Sequence, residues 1–484
     1  MSQFDVIIVG AGGSGLATAC SVAENGGQVL VLEKLPQPGG TTGIAVGSFT
    51  AAETGIQRDA GIQDTIEDHT VDAAKFAPPE IESENNSELR KFFLKESATT
   101  LDWLQSLGVS FVGPNPEPPN RVPRMHNVIP GAKAYVAALQ LALRKFGGKL
   151  ICDASVDQLL QDESGKIVGV NARVNGILTE FRAARGVVLA SGDYANNSKT
   201  IAQYKGDQFQ NIEGINPFAT GDGHELAQKV GAVLVNMDIT YGPELRFIPS
   251  SKKPFQQWLP VSGVWSKIMS AVARHLPAYA IRLLIKRLLV TWQHPENSLF
   301  DDGAILINKE GLRFVDEKIW PDREIGVANQ TDKIAYILLD ENLIKRYSQW
   351  PHFISTAPDI AYAYVPDYKR LRPDVTIRGE TISDLLNFTN IDKIALESTV
   401  QRAFPESQGP WLLLGPLKAY FTTTEGGTNI NQKFQVLNEQ EQVIPGLYAV
   451  GQNGLGGMIL WGHGLHIAWA MTSGRLAGKI LMGK

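Results

Sequence analysis

Cysteine is scarce: 484 residues hold only Cys20 and Cys152. Two thiols make neither a disulfide framework nor a zinc site, so a reducing, cytoplasmic setting is the expectation and no metal is expected. An excess of positive charge is also missing. Lys and Arg number 45 against 50 Asp and Glu, a formal net charge of −5, which argues against a nucleic-acid partner. The N-terminus lacks the charged region, apolar run and cleavage site of a signal peptide. Uninterrupted apolar runs of membrane-spanning length are missing too. Residues 442–474 carry no Asp, Glu, Lys or Arg, but eight glycines, Pro445, His463 and His466 break them up. A strand, a glycine-rich loop and the start of a buried helix are expected there. What remains is 43% apolar and 20% charged, a globular composition with an ample core and room for two or three domains of ~150 residues.

The first chemistry-bearing pattern opens the chain. Residues 4–9 form a short β-branched run, read as a buried parallel strand. Gly10-Ala11-Gly12-Gly13-Ser14-Gly15 follows at once, a helix pattern covers 14–25, and a second strand at 28–32 ends on Glu33. Gly10 permits the tight turn, Gly12 lets backbone approach a pyrophosphate, and Gly15 lets the helix pack on the sheet. The helix N-terminus then offers free N–H groups and a positive dipole end. Glu33 lies 21 positions past Gly12, where a carboxylate accepts from ribose hydroxyls. That acidic group argues for FAD or NAD rather than NADP.

Four further segments extend the pattern. Gly39-Gly40-Thr41-Thr42 follows the second strand. Val187 to Asp193 is an apolar strand ending in a glycine turn. Thr220-Gly221-Asp222-Gly223 leads into a helix. Ile444 to Gln452 precedes Gly462-His463-Gly464 at the start of the last helix. In this order they resemble the fumarate reductase and 3-ketosteroid dehydrogenase family of FAD-dependent flavoproteins, closer to the 3-ketosteroid dehydrogenase branch. The resemblance implies an α/β fold: a Rossmann-like FAD-binding domain, residues 1–240 and 395–484, split by an inserted α+β catalytic cap, 241–394. In the cap, Asn308-Lys309-Glu310-Gly311 reads as a turn between two apolar runs, and 392–404 as a helix. Carried over residue by residue, non-covalent FAD would be lined by Gly10, Gly12, Gly13, Ser14, Gly15, Glu33, Lys34, Gly40, Thr41, Thr42, Gly43, Val156, Ser191, Gly192, Asp222, Gly451, Gln452, Gly464 and Leu465. The family has Glu where this chain has Gln452, whose amide can still bond ribityl hydroxyls.

A flavin of that family exchanges a hydride with the carbon β to a carbonyl, while a protein acid or base handles the α proton. Both of the family's catalytic sets are incomplete here. Gly454, not Arg, precedes Leu455-Gly456-Gly457, and Thr423 and Thr424 replace paired histidines before Glu425-Gly426-Gly427. Loss of charge-assisted anchors argues against fumarate or succinate. The steroid enzymes' loop tyrosine is Leu460, and their cap tyrosine falls near Trp320 to Arg323. The catalytic candidates are therefore Gly464, as a carbonyl N–H donor, His463, Arg323 and Tyr420. His463 is read as a neutral donor because a helix N-terminus lowers a histidine's pKa. Arg323 stands near the arginine acid of fumarate-reducing relatives, with Asp322 or Asp316 as its alternative ion-pair partners. Tyr194 and His466 are further candidates nearby, His466 reading as a core group, and Arg124 and His126 match a family segment near the flavin and read as structural.

Between Glu244 and Glu296 no acidic residue occurs, against eight basic ones: Arg246, Lys252, Lys253, Lys267, Arg274, Arg282, Lys286 and Arg287. Ile281, Leu284, Ile285, Leu288, Leu289 and Trp292 follow helical spacing, and Trp258, Trp265 and Tyr279 add interface-loving rings. The segment 252–295 reads as an amphipathic contact with an anionic membrane surface. The combined expectation is a peripheral membrane oxidoreductase acting on a CH–CH bond beside the carbonyl of a lipophilic substrate, a 3-ketosteroid or isoprenoid ketone. A quinone or similar electron acceptor would be its partner. The alternatives are a soluble ene-reductase of a small unsaturated acid and a non-catalytic FAD- and lipid-binding flavoprotein.

Overall fold

The computed structural model describes residues 3–249, 283, 285–287, 289–291, 293–357, 361–386 and 391–484. The opening strand, Gln3–Val9, sits inside a sheet with the order Gln435–Leu437, Val443–Ala449, Ile177–Leu189, Gln3–Val9, Val29–Leu32, Lys149–Ile151. The five strands from Val443–Ala449 to Lys149–Ile151 run parallel. Val6, Ile7 and Ile8 are fully buried, which is why the run is continuously apolar instead of alternating. Ala154–Gln161 and Ile167–Val174 extend the strand Ile177–Leu189 as an antiparallel meander.

Two helices frame this sheet's functional edge. Gly13–Glu24 starts directly after the glycine turn and is buried from Gly13 to Ala23. The last helix, Leu465–Leu481, packs along it at very short range. A Cβ on Gly474 would meet the Ser14 carbonyl at 2.5 Å, and one on Gly478 would meet Ser21 Cβ at 2.5 Å. Small residues on both partners are what allow this approach. The chain's last helix thus packs on the helix that follows its first strand.

The second sheet is built around Trp411–Phe421, which pairs with Glu213–Gly214, Glu244–Phe247, Ala335–Leu339 and Thr376–Gly379. Leu417, Ala419 and Phe421 face an apolar core shared with Leu245 and Phe247. The alternate positions Lys418 and Tyr420 lie on the other face, opposite Arg246 and Glu244. The cap's sheet therefore continues well past residue 394, the expected boundary. A Leu-rich strand gives no local sign of which sheet it will join. The expected turn at Asn308 to Gly311 forms, with Asn308 N–H donating to the Leu312 carbonyl at 3.0 Å. Its second arm makes only a bridge at Arg313, because Ile305–Ile307 pairs with Ala335–Leu339 instead. The helix Lys393–Ala403 matches its expected position.

Residues 442–474 form the strand Val443–Ala449, a loop and the start of the last helix. Among the described residues no helix is long and apolar enough to cross a membrane. Of the basic segment, Lys252, Lys253, Lys267, Arg274, Arg282, Trp258, Trp265, Tyr279, Ile281, Leu284, Leu288 and Trp292 lie outside the described residues. At its described ends the charges turn inward to ion pairs: Arg246 meets Glu244 at 2.8 Å and Lys286 meets Asp367 at 2.7 Å. Leu289 and Val290 are buried in the cap's core.

Three histidines are buried inside the fold. Burial, with the Arg124 charge second, holds His69 down to about 3; burial holds His126 and His224 down to about 4. Their charged forms are therefore excluded from the folded state, while the unfolded chain accepts three protons near the ordinary histidine value. Stability is expected to fall as pH drops from about 6 to about 4, by roughly 4 kcal/mol per pH unit at the steepest. Urea unfolding at a series of pH values measures this. His126→Gln is expected to remove roughly 1.4 kcal/mol per unit of that slope, and a flat profile would contradict the burial.

Candidate functional site

The glycine turn has three different kinds of glycine. Gly10 has φ +105°, and a Cβ there would lie 2.5 Å from the Ala190 carbonyl. A Cβ on Gly15 would lie 2.0 Å from the Gly10 carbonyl. A Cβ on Gly12 would meet nothing within 4 Å. The first two serve packing, whereas Gly12 fronts open space at the bare end of a helix, where phosphate oxygens are held by free N–H groups. Gly13 N–H donates to Thr42 Oγ1 at 3.3 Å, and Gly40 lies against Gly12, so the segment of Gly40, Thr41, Thr42 and Gly43 walls the same space. Asn216 Nδ2 donates to Thr41 Oγ1 at 2.9 Å.

Glu33 is buried and accepts from Ala11 N–H at 2.7 Å and from Leu35 N–H at 3.0 Å. It braces the glycine turn, a role its spacing did not announce, and keeps further lone pairs for a ribose. Val156 is half-buried on a strand whose Ala154 N–H donates to the Glu33 carbonyl at 2.8 Å. Lys34 Nζ is spent on Asp222 at 2.8 Å, Thr220 at 2.6 Å and the Phe218 carbonyl at 2.9 Å, so Lys34 and Asp222 tie two walls together. Ser191 donates from N–H and Oγ to Asn453 Oδ1, and Gly192 follows at φ +85° with open space before it. Asn453 was missed in the sequence, although it stands next to Gln452. A Cβ on Gly451 would meet Ser14 Oγ at 2.5 Å. Gln452 Nε2 donates to Thr423 Oγ1 and to the Thr424 carbonyl, each at 2.9 Å. Its Oε1 is buried without a partner among the described residues, an acceptor left for a ribityl hydroxyl. These features fit a dinucleotide whose far ring system reaches Gly464 and Leu465 at the last helix's start.

At that helix start a second, charged group assembles. His463 N–H donates to Glu117 Oε1 at 2.6 Å, and His463 Nδ1 lies 2.7 Å from the same oxygen. Burial works against the charged ring, but the Glu117 hydrogen bond and charge outweigh it and raise the His463 pKa. The neutral donor expected from the helix end alone is thereby corrected: an adjacent carboxylate outweighs a helix dipole. Across from His463, Glu244 meets Arg246 at 2.8 Å and His294 at 3.7 Å. Burial would raise the Glu244 carboxyl, but Arg246, His294 and His463 bring it below its ordinary value. His294 in turn feels Glu244, Arg246, His463 and Arg323. The cap strand and the last helix's N-terminus thus contribute to one polar basin. Glu425, fully buried, holds His466 Nε2 at 2.9 Å and accepts from Leu460 N–H at 3.2 Å. Tyr241 lies beside it, 6.3 Å from the His466 ring and 5.4 Å from Trp461.

Other expected residues are placed differently. Arg323 forks onto its neighbour Glu324 at 2.8 and 2.6 Å, not onto Asp322 or Asp316, and stacks 4.7 Å over Phe300. Tyr420 lies on the same sheet face as Glu244 but lines a 540 Å³ cavity with Glu213 and Lys333, and Glu213 is the charge that bears on its phenol. Tyr194 is buried and donates to the Met237 carbonyl. His126 bonds Thr54 and the Phe49 carbonyl, and Arg124 is fully buried between Asp64 and Asp72. Among the described residues no group of three or more His, Cys, Asp or Glu is arranged to hold a metal ion.

The glycines yield a paired prediction. Gly12→Ala is expected to keep the apoprotein's thermal transition while weakening flavin binding roughly tenfold or more, because its methyl occupies the open space. Gly15→Ala, which drives a methyl into the Gly10 carbonyl, is expected to cost about 1–3 kcal/mol of stability instead. Flavin titration and thermal melts of both variants separate the two effects.

Comparison with known proteins agrees with this geometry. The sequence profile described as the FAD binding domain matches residues 5–248 and 284–461. A fumarate reductase (cytochrome) of Shewanella frigidimarina is 27% identical over 98% of this chain and 76% of its own length. A urocanate reductase of Eggerthella lenta is 27% identical over 93% of this chain and 70% of its own. Among solved structures, the open conformation of a flavocytochrome c3 fumarate reductase shares the fold, with a TM-score of 0.73 at 23% identity, covering 100% of this chain and 78% of that one. FAD is accordingly the cofactor, and the chain belongs to the FAD binding domain family.

Proposed function

We propose that the protein is an FAD-dependent reductase of the carbon–carbon double bond in a small unsaturated acid bearing one carboxylate. The observation that carries this reading is the polar basin itself: Arg246, His294 and His463 gather about Glu244 where the cap strand meets the start of the last helix. A basin lined by such charged and polar groups suits a small polar acid rather than an apolar ring system. The two relatives named above are a fumarate and a urocanate reductase, which supports an unsaturated acid as the substrate class. One carboxylate rather than two follows from Thr423 and Thr424. Both are buried, and Thr423 is hydrogen-bonded to Asp193 and Gln452, so neither replaces the cationic anchors of a dicarboxylate site.

Bound FAD supplies the hydride for the carbon β to the carboxylate. The chain's own groups do the rest. The unsatisfied N–H groups at the start of Leu465–Leu481, Gly464 foremost, stabilise negative charge developing on the substrate's carbonyl oxygen, and one such donor is typically worth ~3 kcal/mol. His463 presents its proton to the substrate's acid group, and Arg246 lines the basin beside it. A quinol or cytochrome would return electrons to the enzyme. The rival reading, a lipophilic ketone taken from an anionic membrane through 252–295, draws its support from a segment whose described ends pack on the cap.

The test is anaerobic. FAD-loaded protein is photoreduced and mixed with acrylate, urocanate, fumarate or androstenedione, and the return of flavin absorbance is timed. A monocarboxylate is expected to reoxidise the flavin at least tenfold faster than fumarate or the steroid, roughly the rate lost with one anchoring hydrogen bond. Rapid reoxidation by androstenedione with inert acids would favour the membrane reading, and no reoxidation by any of them the non-catalytic one.

A further inference from the structure

One carboxylate near the basin belongs to neither the FAD cradle nor the cap. Glu117 lies on the loop after the strand Ser110–Asn115 and is 7% exposed. The loop has little freedom. Asn120 N–H donates to the Glu117 carbonyl at 3.0 Å. Arg121 is bound to Asp68 and, at 3.0 Å, to Asp72; Arg124 is bound to Asp64 at 2.6 Å and to Asp72 at 2.7 Å. Asp72 and Arg124 are both fully buried, so the ion pair between them is shielded from solvent screening.

The clamp sets Glu117 Oε1 against both the backbone N–H and Nδ1 of His463. Two bonds from one oxygen fix the ring's rotation and place its proton-bearing Nδ1 inward. Nε2 then points away from the carboxylate and has no hydrogen-bond partner among the described residues. The His463 side chain is 56% exposed, open to the basin. Glu117 Oε2 is buried and unpartnered, so among the described residues His463 is the cation that answers this carboxylate. The other charged groups that bear on the ring are Glu244 and Arg246 from the cap strand and His294 from the segment before Glu296. From its own helix, His466 is already bound to Glu425.

We infer that Glu117 is a positioning residue that holds His463 as an imidazolium, with Nε2–H turned into the basin, and that this cation recognises the anionic group of the substrate. The inference rests on the reading of the substrate as an acid and adds the residue that gives the site its affinity for one. Its pH dependence has a definite sign. A histidine raised by a carboxylate keeps its proton to higher pH, so anion affinity is present below the folded-state pKa and lost as pH rises through it.

The experiment uses FAD-loaded protein and unreactive saturated ligands, so it does not depend on turnover. Proton NMR follows the His463 ring against pH, assigned by its loss in His463→Gln. Flavin difference spectra measure binding of propionate and of its uncharged analogue propionamide. Glu117→Gln is expected to lower the His463 midpoint by about one pH unit or more, and to weaken propionate roughly tenfold near neutral pH while leaving propionamide unchanged. Glu117→Asp is expected to restore part of both. If Glu117→Gln loosens the loop, the propionate-to-propionamide ratio of the wild-type protein across pH still decides, since it must fall with the His463 midpoint. An unchanged midpoint in Glu117→Gln, or propionate binding no more pH-dependent than propionamide, overturns the inference. Failure of acids to turn over, with these binding results intact, would count against the reductase reading alone.

Discussion

The helix Gly13–Glu24 has to be approached closely from three sides at once, and the rest of the fold accommodates that demand. Its tip must admit a diphosphate, one flank must lie on the parallel sheet, and the other must accept the last helix. Gly12 leaves the tip open, Gly15 lets the first turn touch the Gly10 carbonyl, and Gly474 and Gly478 remove side chains from the last helix where it crosses Ser14 and Ser21. Any added methyl at the packed positions has nowhere to go, a cost of about 1–3 kcal/mol each. The same docking brings the N-terminus of Leu465–Leu481, with Gly464 at its cap, alongside Thr50, so a packing constraint between the chain's two ends also sets where that helix start lies.

Charge is arranged in two ways. The cluster of Arg124, Asp64 and Asp72 is sealed, its members fully or almost fully buried and paired among themselves. Removing one partner of such a cluster typically costs 3–5 kcal/mol, about what a structural clamp needs and too much for groups that must change state in a reaction. The basin around Glu244 is different. Arg246, His294 and His463 are each partly open to the basin. The two arrangements are joined by one loop: the sealed cluster immobilises the segment from which Glu117 reaches the open one.

How much of this could be read in the sequence follows from the distance over which each feature is determined. The strand, glycine turn, helix and acidic residue at 3–33 are local, so spacing alone located them, and the late segments could be placed in the same cradle by their order. Glu33 was found, but its bracing of Ala11 was not, because a spacing rule says where a carboxylate lies and not what else it bonds. The strand Trp411–Phe421 gave no local sign of its sheet, because its partners there include Glu213, about two hundred positions away. Arg323 looked like a candidate acid since nothing local revealed that Glu324 would take both arms of its fork. Glu117 carried no motif at all. It is 346 positions from His463, and only the folded loop brings the two together.

The two departures from the family pattern, Thr for the paired histidines and Gln for Glu at 452, make sense as one change. Thr423 gives its proton to the buried Asp193 at 3.1 Å, so its oxygen can only accept from any other neighbour. The Thr424 carbonyl beside it can also only accept. Gln452 meets both with its amide N–H groups. A glutamate at 452 would set a carboxylate against two acceptors, with Asp193 nearby already disfavoured in its charged form by burial. A histidine, which carries N–H groups, can donate to a glutamate; a threonine whose proton is committed to Asp193 cannot. Exchanging donors for acceptors on one side therefore requires the opposite exchange on the other. Gln452 meets that requirement and keeps its buried Oε1 without a partner among the described residues.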